Sequence, residues 1–215
     1  MWNYIPAINE ETGGLENYRR FNLGRWSAFR DSFGSEAIGR MPAASAVGCD
    51  GERLAVAFLA GRAAATYVEN PEQIPAYHYP PDYGPKAPSF ARGAVVEIGG
   101  RKVGYLSGTA SIKGHRSVGH GDLRAQFETT LSNIRIVSNR MGYAGATDPG
   151  AKSAHEFKAY VRRAEDGSKV AQWLAEAAGI SPDAITVLRA DICRAELDVE
   201  IEAVFGREQQ ITDSQ

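Results

Sequence analysis

Near the carboxyl end, Leu197–Phe205 alternates apolar and acidic side chains. Leu197, Val199, Ile201, Ala203 and Phe205 fall on one face of a predicted strand, and Asp198, Glu200 and Glu202 on the other. Such an acidic face is either a solvated outer surface or the floor of a cleft. In a cleft the middle carboxylate would feel two like charges and partial desolvation. Both raise its pKa and suit Glu200 to donate a proton near neutrality. The strand predicted before it, 185–193, puts Arg189, Asp191 and Cys193 on one face. A lone cysteine is ordinarily a small core residue. A nucleophilic thiol would need an adjacent base, and no histidine is near Cys193 in sequence.

A second set of candidates comes from arginine. Tyr18, Asn22, Arg25 and Phe29 follow the i, i+4, i+7, i+11 spacing of one stripe on a helix predicted over 15–33. An arginine among aromatics is costly unless paired. Arg25 therefore makes an intramolecular salt bridge or meets a ligand carboxylate. Arg92 closes Ser89-Phe90-Ala91-Arg92 behind a segment, 70–90, that holds six of the ten prolines. Two guanidinium forks suit a dicarboxylic ligand, since each can grip a carboxylate through two parallel hydrogen bonds. Tyr77 and Tyr79 could wall such a site or simply pack. Ser107-Gly108-Thr109-Ala110-Ser111-Ile112 follows a strand with small side chains, which let a ligand approach the backbone. It lacks the spacing of a dinucleotide or phosphate loop. His115 and His120 sit in a glycine-rich loop without an HExxH pair and read as polar loop residues. No metal or other cofactor is expected.

The elements that must position these groups follow from periodicity. Strands are predicted over 2–8, 42–47 and 54–59, a hairpin over 94–107, and strands over 156–161, 185–193 and 197–205. Asp122 caps a predicted helix on which Leu123, Phe127, Leu131 and Ile134 recur at helical spacing. Val170, Trp173, Leu174 and Ala177 stripe another that ends at Gly179. The order strand, helix, strand, strand occurs twice, which points to duplication. The second copy is preceded by a strand pair and a helix, and the first is not. We read the chain as amino-terminally incomplete: a partial half-domain over 1–68, a proline-rich connecting or binding segment over 69–92, a complete domain over 93–208 and a disordered tail over 209–215. The fold class is α+β, a mixed sheet with helices packed on one face. A net charge of −2 over 215 residues gives no basic field for nucleic acid or anionic membrane. No apolar run approaches the roughly 18 residues of a membrane span. Two distant cysteines, Cys49 and Cys193, fit a cytoplasmic protein with free thiols.

Several strings then resemble a known fold. Ser107-Gly108, Gly121-Asp122, Ala125-Gln126, Asn133-Ile134 and Val199-Glu200-Ile201-Glu202-Ala203 are similar to the YjgF/RidA-like (chorismate mutase-like) proteins. A narrower resemblance runs through Trp2-Asn3-Tyr4-Ile5-Pro6, Phe21-Asn22-Leu23-Gly24-Arg25, Pro42–Gly48, Gln73–Tyr79, Pro88–Arg92, Ser107–Ile112 and Leu188–Arg194. Together these resemble the chorismatase family. The resemblance implies two YjgF-like domains and removal of pyruvate from chorismate, with Glu200 as the acid that protonates the enolpyruvyl methylene. It implies catalytic roles for Glu200 and Cys193 and substrate contacts for Arg25, Tyr77, Arg92, Gly108 and Thr109. Family hydrolases tend to carry Ala where this chain has Gly108 and Cys193, so the chain resembles the 3-hydroxybenzoate-forming branch. The readings weighed against it are a chorismate hydrolase, a YjgF/RidA-type imine deaminase and an inactive remnant. The partner expected is a small molecule, with a monomer or a homotrimer as the assembly.

Overall fold

A computed structural model describes residues 1–148 and 155–206; the expected tail at 209–215 lies outside them. The first part of the chain runs β1 (Trp2–Pro6), a small hairpin of β2 (Glu11–Thr12) and β3 (Leu15–Glu16), α1 (Asn17–Phe33), β4 (Ser45–Cys49) and β5 (Ala55–Ala57). It continues with β6 (Ala65–Val68), β7 (Gly93–Ile98), β8 (Arg101–Ala110), β9 (Ile112–Lys113), β10 (Arg116–Ser117) and α2 (Leu123–Arg140). The last part is β11 (His155–Val161), α3 (Gly167–Ala178), β12 (Ile185–Arg189) and β13 (Val199–Phe205).

The repeated element order is also a repeated topology. In the first copy β1 is central, parallel to β4 and antiparallel to β5. In the second, β11 is central, parallel to β12 and antiparallel to β13. The second sheet continues beyond β13 through β8 and β7 to β6, six strands in the order β12-β11-β13-β8-β7-β6. Its edge strand β6 comes from 65–68, which the sequence reading had assigned to the first unit.

The helices cover one face of this sheet, as the α+β expectation required. Asp122 caps α2 by accepting from the backbone N–H of Ala125 at 3.0 Å. Gly179 ends α3 in a left-handed conformation, its N–H returning to the Ala175 carbonyl. Phe127, Leu131, Ile134, Val170 and Leu174 pack onto Phe157, Val199, Ile201 and Phe205 in one core. The opposite face of the same sheet meets the first unit. There Val47, Ala110, Ile112, Tyr160, Ile192 and Leu197 form a second, smaller apolar cluster.

The strand β13 is thus buried on both faces, which decides between the two readings of its acidic side. Glu200 is 3% exposed and Glu202 6%. Asp198 departs from the expectation. It precedes the strand, pairs with Arg163 at 3.1 Å and receives a long bond from Gln126 Nε2 on α2. Alternation fails there because Leu197 and Asp198 lie outside the ladder, with Leu197 in the second cluster. The expected grouping of Arg189, Asp191 and Cys193 also dissolves, since β12 stops at Arg189. Arg189 then pairs with Asp50, Asp191 pairs with Arg162, and Cys193 lines a cavity.

Candidate active site

Glu200 lies opposite Ala110 on β8. One step along, the register shifts: Ile201 faces Thr109, but Ala203 faces Leu106. Two residues of β8, Ser107 and Gly108, therefore oppose Glu202 alone. This is a β-bulge, a device that redirects side chains beside functional sites. It brings the Cα of Gly108 against the Glu200 carboxyl. A Cβ built on Gly108 would overlap Glu200 Oε1 and lie 2.7 Å from its Cδ and 3.1 Å from Cβ of Ser45. Glycine is thus a steric requirement of this Glu200 position.

The two neighbouring glutamates differ in what they bind. Glu202 accepts hydrogen bonds from Trp2 Nε1 at 2.9 Å, Lys158 Nζ at 2.7 Å and the Ser45 hydroxyl. Ser45 Oγ accepts in turn from the Gly108 N–H at 2.9 Å. Glu200 has no such set of donors, and its Oε1 has no hydrogen-bond partner among the described residues. Burial, reinforced by the Glu202 charge, raises its pKa to about 8, against the opposing pull of Arg92. Glu200 is therefore a protonated carboxylic acid at neutral pH.

Two cavities meet at this acid. One, of about 210 Å³, is lined by Tyr18, Tyr79, Tyr83, Arg92, Cys193 and Glu200 among others. The other, of about 30 Å³, includes Arg25, Ser89 and Ser45. Both are bounded by Tyr18, Phe90, Gly108, Cys193 and Glu200. Polar groups without hydrogen-bond partners among the described residues gather here: Arg25 Nε, Ser89 Oγ, Arg92 Nε and Glu200 Oε1. Buried polar atoms are rarely left so, and their convergence marks a place built for a polar ligand. Arg25 lies against Phe21 and Phe29, its Cζ 5.9 and 5.5 Å from their ring centres. Burial lowers its pKa to about 10, so it remains a cation at neutrality. The wall of the larger cavity alternates cations and rings: Phe90, Arg92, Tyr79, Arg194, Tyr83, with cation-to-centroid distances of 5.1, 5.8, 5.4 and 4.1 Å. Arg92 also donates to the Tyr79 hydroxyl at 2.7 Å. Guanidinium groups and aromatic rings thus line the cavity together with the carboxyls of Glu16, Glu196 and Glu200.

A wider cavity of about 460 Å³ lies on the other side of Glu202, along Trp2, Tyr105, Lys158 and Thr186. Its central carboxylate already holds its donors, so it lacks the unpaired groups that distinguish the smaller site. Among the described residues no group of His, Cys, Asp and Glu is placed to hold a metal ion. No helix there is long and apolar enough to cross a membrane.

Known proteins resemble this chain along most of its length. Residues 1–60 match the family model described as chorismatase FkbO/Hyg5-like, N-terminal. A 3-hydroxybenzoate synthase of Streptomyces hygroscopicus is 40% identical over 216 residues, covering 95% of this chain. A chorismatase of the same organism is 38% identical over 215 residues, again covering 95% of this chain. The crystal structure of a chorismatase superposes with a TM-score of 0.77 at 34% identity over 95% of this chain and 62% of that one. The chain is similar to chorismatases along nearly all of its own length. It spans 62% and 60% of the two Streptomyces relatives.

In the structure the expected site residues separate into two groups. Glu200, Cys193, Arg25, Arg92 and Gly108 converge on the paired cavities. Tyr77 does not line them; its ring meets that of His78 edge-on, and burial followed by the Glu69 charge raises its pKa. Tyr79 and Tyr83 line the wall instead. Thr109 is buried, and its hydroxyl donates to the Ser107 carbonyl at 2.8 Å. It alternates away from Gly108 and Ala110, the two β8 residues that face the larger cavity. Cys193 is beside Glu200, with its pKa raised to about 12, by burial first and then by the Glu200 charge. A thiol shifted this far keeps its proton at neutral pH. Sequence reasoning missed Ser45, Ser89 and Arg194. Arg194 stood in the string 188–194, but nothing in periodicity says that Ser45 meets Glu202 or that Ser89 faces the smaller cavity.

Proposed function

We propose that this chain removes the enolpyruvyl side chain of chorismate as pyruvate and leaves 3-hydroxybenzoate. The observation that carries this reading is a buried, protonated Glu200 facing two adjoining cavities, in which Arg92 and Arg25 keep unused donor positions. Chorismate carries two carboxylates, one on a cyclohexadiene ring and one on the enolpyruvyl side chain, which suits paired guanidinium groups. The enol ether carries the reactive methylene.

Glu200 donates its proton to the methylene carbon, which becomes the methyl of pyruvate and leaves an oxocarbenium-like centre. The adjacent ring hydroxyl then attacks the carbon that bears the ether. The ring carbon–oxygen bond breaks and pyruvate departs with the ether oxygen. The hydroxyl proton returns to Glu200. The resulting arene oxide opens to 3-hydroxybenzoate, so atoms balance without cofactor or water. Water is the competing nucleophile and would give a dihydroxycyclohexadiene carboxylate. Gly108 and Cys193 bear on that choice because side-chain volume there sets substrate pose, and small displacements decide which nucleophile reaches the carbon.

The test is incubation with chorismate, with pyruvate measured by a coupled dehydrogenase and aromatic products separated by chromatography. Pyruvate and 3-hydroxybenzoate are expected in equal amounts. Release of pyruvate with only the diene product would reject the arene-oxide route, and no pyruvate at all would reject the reading.

A further inference from the structure

The irregular segment between β12 and β13 carries Cys193, Arg194, Ala195 and Glu196 into the larger cavity. Neither strand holds it directly, because β12 ends at Arg189 and β13 starts at Val199. The Val47–Ile192 bridge, the Gly48 N–H to the Asp191 carbonyl at 2.7 Å, and the Gln126 and Ser117 bonds to Glu196 each hold one point of it, while a single guanidinium gathers several points at once. Arg162 follows β11, and its side chain is 17% exposed. Its Nε donates to the Leu197 carbonyl at 2.8 Å. Nη1 donates to Asp191 Oδ1 at 2.7 Å and Asn9 Oδ1 at 3.2 Å. Nη2 donates to the carbonyls of Arg194 at 3.0 Å and Ile192 at 3.4 Å. All five N–H groups that arginine owns are used.

Four of the five acceptors span residues 191–197, and the fifth belongs to the first unit. Asn9 closes the arrangement by donating from Nδ2 to the Ile192 carbonyl at 3.1 Å. The acceptors flank Cys193 on both sides, at 192 and 194. From this we infer that Arg162 is the positioning residue of the site: it fixes the segment that sets Cys193 and Arg194 against Glu200, and with Asn9 locks it to the first unit. A lysine in its place keeps the charge and one contact to Asp191 but cannot reach five diverging acceptors. The effect on turnover rests on the chorismate reading above; the effect on the segment does not.

The experiment therefore reads both. In a Cys49→Ser background, which leaves Cys193 as the one thiol, iodoacetamide alkylation is timed for the parent and for Arg162→Lys. The variant is expected to alkylate about fivefold faster, as a loosened segment opens Cys193 to reagent. Its kcat for pyruvate release should fall about tenfold, with more of the diene product as water gains access. Val170→Ala, a comparably destabilising change in the helix-side core, should alter neither. If Arg162→Lys melts cooperatively and keeps both the parental alkylation rate and product ratio, the inference is overturned. Should Arg162→Lys fail to melt cooperatively, Asn9→Ala replaces it. That variant loses only the two bonds that Asn9 makes, with the Val47–Ile192 bridge and the Gly48 bond to Asp191 left in place, and parental behaviour from it overturns the inference equally. A parent that releases no pyruvate defeats the chorismate reading alone, and the alkylation comparison still decides the role of Arg162.

Discussion

Glu200 holds a proton that its surroundings make expensive to lose. Its folded pKa of about 8 exceeds the ordinary 4.5, so between those values the folded chain binds a proton that the unfolded chain has released. Stability from this group is fully present below about pH 4.5 and is lost as pH rises through 8. Glu200→Gln keeps the shape and stays neutral at every pH. The variant should melt above the wild type, with the gap widening from about pH 5 to pH 8 and reaching on the order of 2 kcal/mol or more. Pyruvate release should fall by roughly 10²- to 10⁴-fold, the usual worth of a positioned acid. Calorimetry across pH and a turnover assay check both halves; a variant with full turnover would remove Glu200 from the chemistry. Wild-type turnover should itself decline above about pH 8 as the acid ionises. Gly108→Ala makes the complementary case. The added methyl overlaps the carboxyl, so Glu200 must rotate or β8 must shift. Either change should lower 3-hydroxybenzoate formation at least about tenfold and raise the share of the diene product, read by chromatography.

At the scale of elements, periodicity carries far. The α2 stripe, the Asp122 cap, the Gly179 stop and the alternation through β13 all express one residue's relation to near neighbours, and the structure agrees with each. The duplicated order carried further still, because β1 and β11 hold the same pairing to their neighbours. What the sequence hid is long-range pairing. Trp2 and Glu202 are 200 positions apart and meet at 2.9 Å; no spacing rule connects them. Asp198 departs from the alternation because it lies before the true start of the strand, where Gln126 and Arg163 claim its carboxylate. Tyr79 could not be told from Tyr77, since a short turn over Ala76–His78 decides which ring faces the cavity. The Asp122 cap offers a clean local test. Asp122→Ala leaves one helix donor unmet, and the cost should be about 1 kcal/mol, or roughly 2–4 °C in the melting midpoint. Turnover should be unchanged, because the cap lies on the helix side of the sheet. A loss of activity without loss of stability would instead tie α2 to the site.

Across the whole molecule the two copies of the repeated unit are not equally covered. The β13 edge of the second copy is taken by β8, while among the described residues no strand pairs with the outer edge of β5. That edge is also apolar: Leu54 is 51% exposed, Val56 44%, Phe58 64% and Leu59 65%. An open, apolar edge is a template for pairing with another chain, and proteins commonly block such edges with lysine or proline. Electrostatic repulsion offers little protection, since the formal charge is −2 and the isoelectric point is about 6.1. This chain should therefore associate in a concentration-dependent way, most strongly near pH 6. Val56→Lys together with Phe58→Lys places two charges on the edge and should return the scattering mass toward the monomer. Neither residue lines the cavities around Glu200, so pyruvate release per chain should survive the change. Light scattering over a dilution series at about pH 6 and pH 8 decides the matter. A monodisperse monomer at every concentration and both pH values would show that the β5 edge is inert despite its exposure.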